Sequence, residues 1–189
     1  MLSLKKNNRS IKGEIVLTAS KSESNRVLLI RALCDTSFTI HNLAAAKDTQ
    51  TMIQLLNEKG ETWDVGPAGT TMRFLTAYAA LIPGTHILTG SERMKNRPIK
   101  ILVDALTELG AEIEYTGKQD CPPLKINGGK LKGGKISIDG SVSSQYLSAL
   151  LMIAPKLKGG LEMHLTGKVA SVTYLNMTLR LMEYFGTKT

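Results

Sequence analysis

A chain of 189 residues with 42% hydrophobic and 21% charged residues, 17 Gly and 6 Pro can bury a sizeable core and is neither disordered nor fibrous in composition. A net charge of +8 points to an anionic partner, small or polymeric, while aromatics at only 5% leave little for the stacking surfaces that bind single-stranded nucleic acid. Cys34 and Cys121 stand in no metal-ligand spacing, the basic N-terminus has no apolar leader, and no apolar run is long enough to span a bilayer, so the expectation is a cytoplasmic protein with no metal and no membrane segment.

In chain order, Glu14–Leu17 reads as a strand leading into Ala19-Ser20-Lys21-Ser22-Glu23-Ser24-Asn25-Arg26. Small hydroxyl residues there suit a helix N-terminus, because their oxygens accept from otherwise unpaired backbone N–H groups. The apolar run that follows predicts a buried helix from about Ser22 to Cys34, with Cys34 in the core. A strand is expected at Ser37–Asn42, then a striped helix from Asp48 to the stop at Gly60.

The same order returns twice. A buried helix at Gly69–Ile82, a strand at Thr85–Thr89 and a striped helix from Pro98 to Leu109 end at Gly110. A buried helix at Ser143–Ala154, a strand at Leu161–Thr166 and a helix at Thr173–Phe185 end at Gly186. Between the second and third units lie strands at Ala111–Tyr115, Leu124–Ile126 and Lys135–Ile138, whose turn lysines (Lys118, Lys125, Lys130, Lys132 and Lys135) read as a solvated face. From Ser22, Thr70 and Ser144 to the closing glycine the spacing is 38, 40 and 42 positions, a near-regular internal repeat. The units run from about 20–65, 66–140 and 141–189, and by this logic the third lacks its closing strands.

Each buried helix opens on donors. The first has Lys21-Ser22 with Arg26, the second Gly69-Thr70-Thr71 with Arg73, the third Ser143-Ser144-Gln145. Cations at a helix N-terminus have the wrong sign for the helix dipole and make sense if an anion sits at the tip. Three parallel helices would pool their tips into one anion site suited to a polyhydroxylated phosphate, and Arg97, just before the Pro98 helix start, could reach the same rim. His41, His86 and His164 lie in the short strands with no Cys or Glu at useful spacing and read as structural.

Four ordered motifs then carry a resemblance: Lys21-Ser22-x-Ser24-Asn25-Arg26, Ala68-Gly69-Thr70-x-Met72-Arg73, Arg93-Met94-Lys95-x-Arg97-Pro98-Ile99 and Asp139-Gly140-Ser141-Val142-Ser143-Ser144-Gln145. Together they resemble the 5-enolpyruvylshikimate-3-phosphate synthases, and the resemblance runs along the whole chain. It implies an α/β (α+β) fold of repeated βαβαββ units with parallel buried helices, the inside-out α/β barrel of the enolpyruvyl transferases. One of two domains would be present, with residues 1–19 packing on the missing C-terminal domain. It further implies transfer of the enolpyruvyl group of phosphoenolpyruvate to the 5-hydroxyl of shikimate 3-phosphate, by addition–elimination, without a cofactor. By the same resemblance Lys21, Ser22, Arg26, Ser143, Ser144, Gln145, Ser171 and Tyr174 would hold shikimate 3-phosphate. Lys21, Gly69, Arg97 and Gln145 would hold phosphoenolpyruvate, and the acid/base residues would belong to the missing domain, leaving this chain inactive alone.

Three departures stand out: Pro67 where the family has Asn, Phe74 where many members have Pro, and a hairpin between Gly60 and Gly66 that is unusually short. Gly69 matches glyphosate-sensitive members, and with Pro67 and Phe74 beside it the resemblance does not decide whether this chain shares that sensitivity. The alternatives are the related transferase acting on UDP-N-acetylglucosamine, whose reactive loop cysteine Cys121 does not resemble in context, and a non-catalytic anion- or nucleic-acid-binding domain. The last would explain the net charge but not the clustering of cations at helix tips.

Overall fold

The computed structural model describes residues 3, 5, 7, 10 and 12–188. Six α-helices and six strands follow in the order α1 (Lys21–Leu33), α2 (Lys47–Asn57), β1 (Thr62–Asp64), α3 (Gly69–Leu81), β2 (Gly84–Thr89), α4 (Lys100–Glu108), β3 (Glu112–Tyr115), β4 (Leu124–Gly128), β5 (Gly134–Asp139), α5 (Ser144–Ile153), β6 (Leu161–Thr166) and α6 (Val172–Tyr184).

The helices with apolar residues on nearly every face are the buried ones, as the sequence pattern requires. In α3 the residues from Thr70 to Ala77 are all buried, and in α5 Tyr146–Leu150, Met152 and Ile153 are. In α1 the buried set is Ser24, Asn25, Arg26 and Leu28–Ile30. The striped helices bury one side only, Leu102, Val103, Ala105 and Leu106 in α4, where Ile101 is exposed.

A mixed sheet has the order β1-β2-β4-β3, with β1 parallel to β2 and the remaining pairs antiparallel. It sits directly on the end of α3. A Cβ at Gly128 in β4 would collide with the carbonyl oxygens of Ala79 and Ile82, so only glycine allows the strand to approach that closely. The second sheet has two parallel strands, β5 and β6, in register from Gly134↔Leu161 to Asp139↔Thr166. Strand, helix, parallel strand, helix therefore occurs twice, as β1-α3-β2-α4 and β5-α5-β6-α6.

Several expected elements differ. Glu14–Leu17 is not a strand: the segment has no sheet partner, and Ile15, Val16 and Leu17 are 82–88% exposed. Ser37–Asn42 is irregular too, so no strand separates α1 from α2 and His41 lies in a loop. Between Gly60 and Gly66 there is no hairpin; residues 62–64 form the single strand β1, with Trp63 packed inward. Much of the predicted segment 1–19 lies outside the described residues. The lysine-rich face behaves as expected, with Lys130 paired to Glu112 at 2.6 Å and Lys135 to Glu162 at 2.8 Å on the surface. Cys34 is half-buried against the core, and Cys121 is buried.

Candidate functional site

Side-chain bonds stitch the opening turns of the buried helices together. Ser20 caps α1 by accepting from the Glu23 N–H at 3.3 Å, so the helix opens at Lys21, one residue before the expected start at Ser22. The Lys21 ammonium reaches Asp48 in the first turn of α2 at 3.1 Å and remains about half exposed. The hydroxyl of Thr71, in the first turn of α3, donates to the Asp48 carbonyl at 3.0 Å. Gln145, in the first turn of α5, donates from Nε2 to the Thr70 hydroxyl oxygen at 3.0 Å. The tips of α1, α3 and α5 therefore lie on one rim, as parallel packing requires.

Arg26 sits one turn below that rim and is only 2% exposed. Its Nε donates to Thr178 Oγ1 at 2.6 Å, one terminal nitrogen to the Ser22 carbonyl at 3.0 Å and the other to Ser148 Oγ at 2.9 Å. The guanidinium lies 5.4 Å from the Phe74 ring centre and 5.8 Å from that of Tyr174. Phe74, the residue that departs from the family pattern, thus supplies an aromatic face to a buried cation. Burial pushes the Arg26 pKa down to about 10, with Tyr174 acting weakly the other way, so the group stays charged at neutral pH.

At the tip of α3 two more guanidinia converge. A Cβ built on Gly69 would lie 2.5 Å from Arg97 Nη1 and 2.9 Å from Arg73 Nη1, so both groups crowd the same point. Arg97 is exposed; Arg73 is 5% exposed, donates to the Gly69 carbonyl at 2.8 Å and lies 5.7 Å from the Tyr146 ring centre. Tyr146 in turn donates to the Pro98 carbonyl at 2.8 Å, which ties the segment carrying Arg97 to α5. Burial is the main cause of the lowered Arg73 pKa, and the charge of Arg97 adds to it. Among the described residues, the ion pairs present involve none of Arg26, Arg73 and Arg97.

Ser143 caps α5, accepting from the Gln145 N–H at 3.4 Å, and Ser144 and Gln145 are half-buried at the rim. Ser171 precedes α6 in a left-handed conformation (φ 55°, ψ 40°) and is exposed, with no side-chain capping bond. That backbone is unusual for a serine and holds it out of the helix. Tyr174 is 44% exposed, one face of its ring on Arg26.

All the sequence-predicted residues thus fall at the opening turns of α1, α3, α5 and α6 or on the loop before α4. Seven of the ten form two groups: Ser22, Arg26 and Tyr174 around one buried guanidinium, and Gly69, Arg97 and Gln145 around the tip of α3, with Lys21 held at the edge by Asp48. Among the described residues the Ser143 side chain caps α5, and no side-chain hydrogen bond joins Ser144 or Ser171 to either group. Asp48, Ser148 and Thr178 complete these contacts and were not singled out as site residues from the sequence, whereas Arg73 was read there among the donors at the helix tips without being assigned to either ligand. The amide of Asn25 is fully buried without a hydrogen-bond partner, and nothing in the structure explains it. No cluster of three or more His, Cys, Asp or Glu side chains suited to a metal exists among the described residues. No helix is long and apolar enough to cross a membrane among those residues.

Apart from Lys21, which Asp48 neutralises, the rim offers positive charge with no paired carboxylate among the described residues, together with helix N–H groups and hydroxyl and amide donors. Such a surface binds anions whose charge is spread over several oxygens.

Comparison with known proteins agrees. The family model for EPSP synthase (3-phosphoshikimate 1-carboxyvinyltransferase) matches residues 5–64 and 57–189. A 3-phosphoshikimate 1-carboxyvinyltransferase of Bacteroides fragilis (strain YCH46) is 54% identical over 176 residues, which cover 93% of this chain and 43% of that protein. One from Sulfurovum sp. (strain NBC37-1) is 42% identical over 206 residues, covering 95% and 48%. Among solved structures, an EPSP synthase from Acinetobacter baumannii shares the fold with a TM-score of 0.80 at 21% identity, covering 93% of this chain and 44% of that one. The chain spans less than half the length of these relatives. On the match to the family model along nearly its whole length, the chain belongs to the EPSP synthase family.

Proposed function

We propose that this chain supplies the shikimate 3-phosphate half of an enolpyruvyl-transfer site. The reaction is transfer of the enolpyruvyl group from phosphoenolpyruvate to the 5-hydroxyl of shikimate 3-phosphate, with release of phosphate, in a cytoplasmic enzyme. The observation that carries the reading is the crowding of Arg73 and Arg97 at the tip of α3, with Arg26 buried one turn below the rim in a separate group, and no carboxylate paired to any of the three among the described residues. Buried or crowded cations are costly unless something neutralises them, and both substrates are multiply anionic. Ser22, Arg26, Ser143, Ser144, Gln145, Ser171 and Tyr174 would surround shikimate 3-phosphate. Gly69, Arg97 and Gln145 would receive phosphoenolpyruvate, with Lys21 shared after it leaves Asp48. The fixed donors are organised before the substrates arrive, so charge that builds during addition meets them without reorganisation.

The acid/base groups and the remaining cations for phosphoenolpyruvate would come from the portion of the relatives' length that this chain does not match. Calorimetric titration of the 189-residue chain with shikimate 3-phosphate, with shikimate and inorganic phosphate as controls, tests the half-site. Saturable binding of shikimate 3-phosphate, tighter than that of shikimate or of inorganic phosphate, is expected, together with no phosphate release when phosphoenolpyruvate is added. Absence of binding refutes the half-site, and turnover by this chain alone refutes its incompleteness.

A further inference from the structure

Within the reading just proposed, Arg73 belongs to none of the expected ligand sets, yet its setting is unusual. The side chain is 95% buried by its 5% residual exposure, its Nε has no hydrogen-bond partner, and it turns back toward the N-terminus of its own helix to donate to the Gly69 carbonyl at 2.8 Å. A cation held there opposes the helix dipole. It also faces a second cation, because Arg97 Nη1 and Arg73 Nη1 lie within 2.5 Å and 2.9 Å of the same point beside Gly69. The ring face of Tyr146, 5.7 Å away, is the compensation visible on its other side. A residue retained for packing alone would be better served by an apolar side chain, since replacing buried charge by apolar volume is often neutral or stabilising.

We propose that Arg73 is a positioning residue for anion binding at the tip of α3: it fixes the Gly69 carbonyl, and its charge, set behind Arg97, keeps that tip under-neutralised until a phosphoryl group arrives. The like-charge contact is then relieved by the ligand rather than by the protein. Arg97 makes the direct contact, and Arg73 sets where the guanidinium of Arg97 stands and how strongly the first turn of α3 attracts a dianion. The lowered pKa of Arg73, caused by burial and by Arg97, is the same conflict seen in protonation.

The test titrates inorganic phosphate and phosphoenolpyruvate, with shikimate 3-phosphate in parallel, into the chain and its Arg73→Gln, Arg73→Lys and Arg97→Gln variants. Unfolding temperatures without ligand are recorded alongside. Arg73→Gln should lose at least tenfold in affinity for phosphate and phosphoenolpyruvate without a fall in unliganded unfolding temperature. Arg73→Lys, which keeps the charge, should stay within about threefold of the original chain, and Arg97→Gln should lose more than Arg73→Gln. Equal affinity in Arg73→Gln overturns the assignment, as does a Gln variant that loses stability and affinity together while Lys restores neither. If the Gln variant does not fold, a folded Lys variant with a tenfold loss overturns it and one close to the original supports it. A chain that binds shikimate 3-phosphate but neither phosphate nor phosphoenolpyruvate removes the role of Arg73 and leaves the proposed half-site standing; binding of none of the three removes both.

Discussion

Gly69→Ala isolates the anion-binding geometry from the fold. The alanine methyl would stand 2.5 Å from Arg97 Nη1, 2.9 Å from Arg73 Nη1 and 3.2 Å from Arg97 Cζ. Ordinary contact distances are near 3.5 Å, so the Arg97 guanidinium must retreat by about 1 Å. Both obstructing groups are ends of flexible side chains, and Gly69 opens a helix, so alanine costs the fold little and could add up to about 1 kcal/mol of helix propensity. Binding is another matter. Moving one charge from about 4 to about 5 Å from a phosphoryl group at an effective dielectric near 20 loses about 0.8 kcal/mol. Losing a charge-assisted hydrogen bond to Arg97 removes about 1.5–3 kcal/mol. Together these give a loss of roughly 50-fold or more in affinity for phosphate and phosphoenolpyruvate, with an unfolding temperature unchanged or raised by up to about 4 °C. Calorimetry and a thermal melt on the same sample read both. Unchanged phosphate affinity in a folded Gly69→Ala chain would falsify the placement of the anion at this tip.

Two further substitutions address other parts of the rim, and a third addresses the larger sheet. Arg26→Met should fold, because the Ser148 and Thr178 hydroxyls still bond each other at 2.9 Å, but should lose more than tenfold in shikimate 3-phosphate affinity by titration. Gln145→Glu places a carboxylate beside Thr70 and should weaken both phosphorylated ligands at least tenfold at pH 7, with partial recovery near pH 5; ligand affinity that is flat across that range counts against a role for Gln145. The His86 ring lies tilted against Trp63 with centroids 4.7 Å apart, and burial lowers its pKa against the opposing influence of the Pro83 backbone and then of Glu61. The unfolded chain then binds the proton more readily, so stability should fall as pH drops below about 6.5, and His86→Phe should flatten unfolding temperature between pH 5.5 and 7.5.

The helices were legible because their signals are local. Apolar runs, small capping residues and closing glycines placed all six within about three residues, and the identity of the buried ones followed from having no polar face. Strands depend on a partner the local sequence does not show. Ile15-Val16-Leu17 has the composition of a strand but no sheet partner among the described residues, whereas Thr62-Trp63-Asp64 is too short to stand out as a strand and becomes one because β2 lies alongside. At the rim, residue types and order were enough to nominate Lys21, Arg26, Gly69, Arg97 and Gln145. What could not be read was who holds whom: that Asp48 takes Lys21, that Thr178 and Ser148 bury Arg26, and that Arg73 turns back on its own helix. Those pairings join residues as many as 152 positions apart and exist only once the tertiary fold has formed.

The two sheets differ in one respect that bears on how the chain behaves in solution. In the larger sheet β2 is flanked on both sides, by β1 and β4; in the smaller one β6 has β5 on one side and no strand on the other among the described residues. Leu161, Met163 and Leu165 alternate with Glu162, His164 and Thr166 along it, half-buried against exposed. A strand in that state offers a row of hydrogen-bonding groups beside an apolar stripe, the pattern by which separate molecules join edge to edge. Concentration-dependent association of the 189-residue chain should therefore begin at β6, on a different element from the cationic rim, so that solubility and ligand binding can be altered independently of each other.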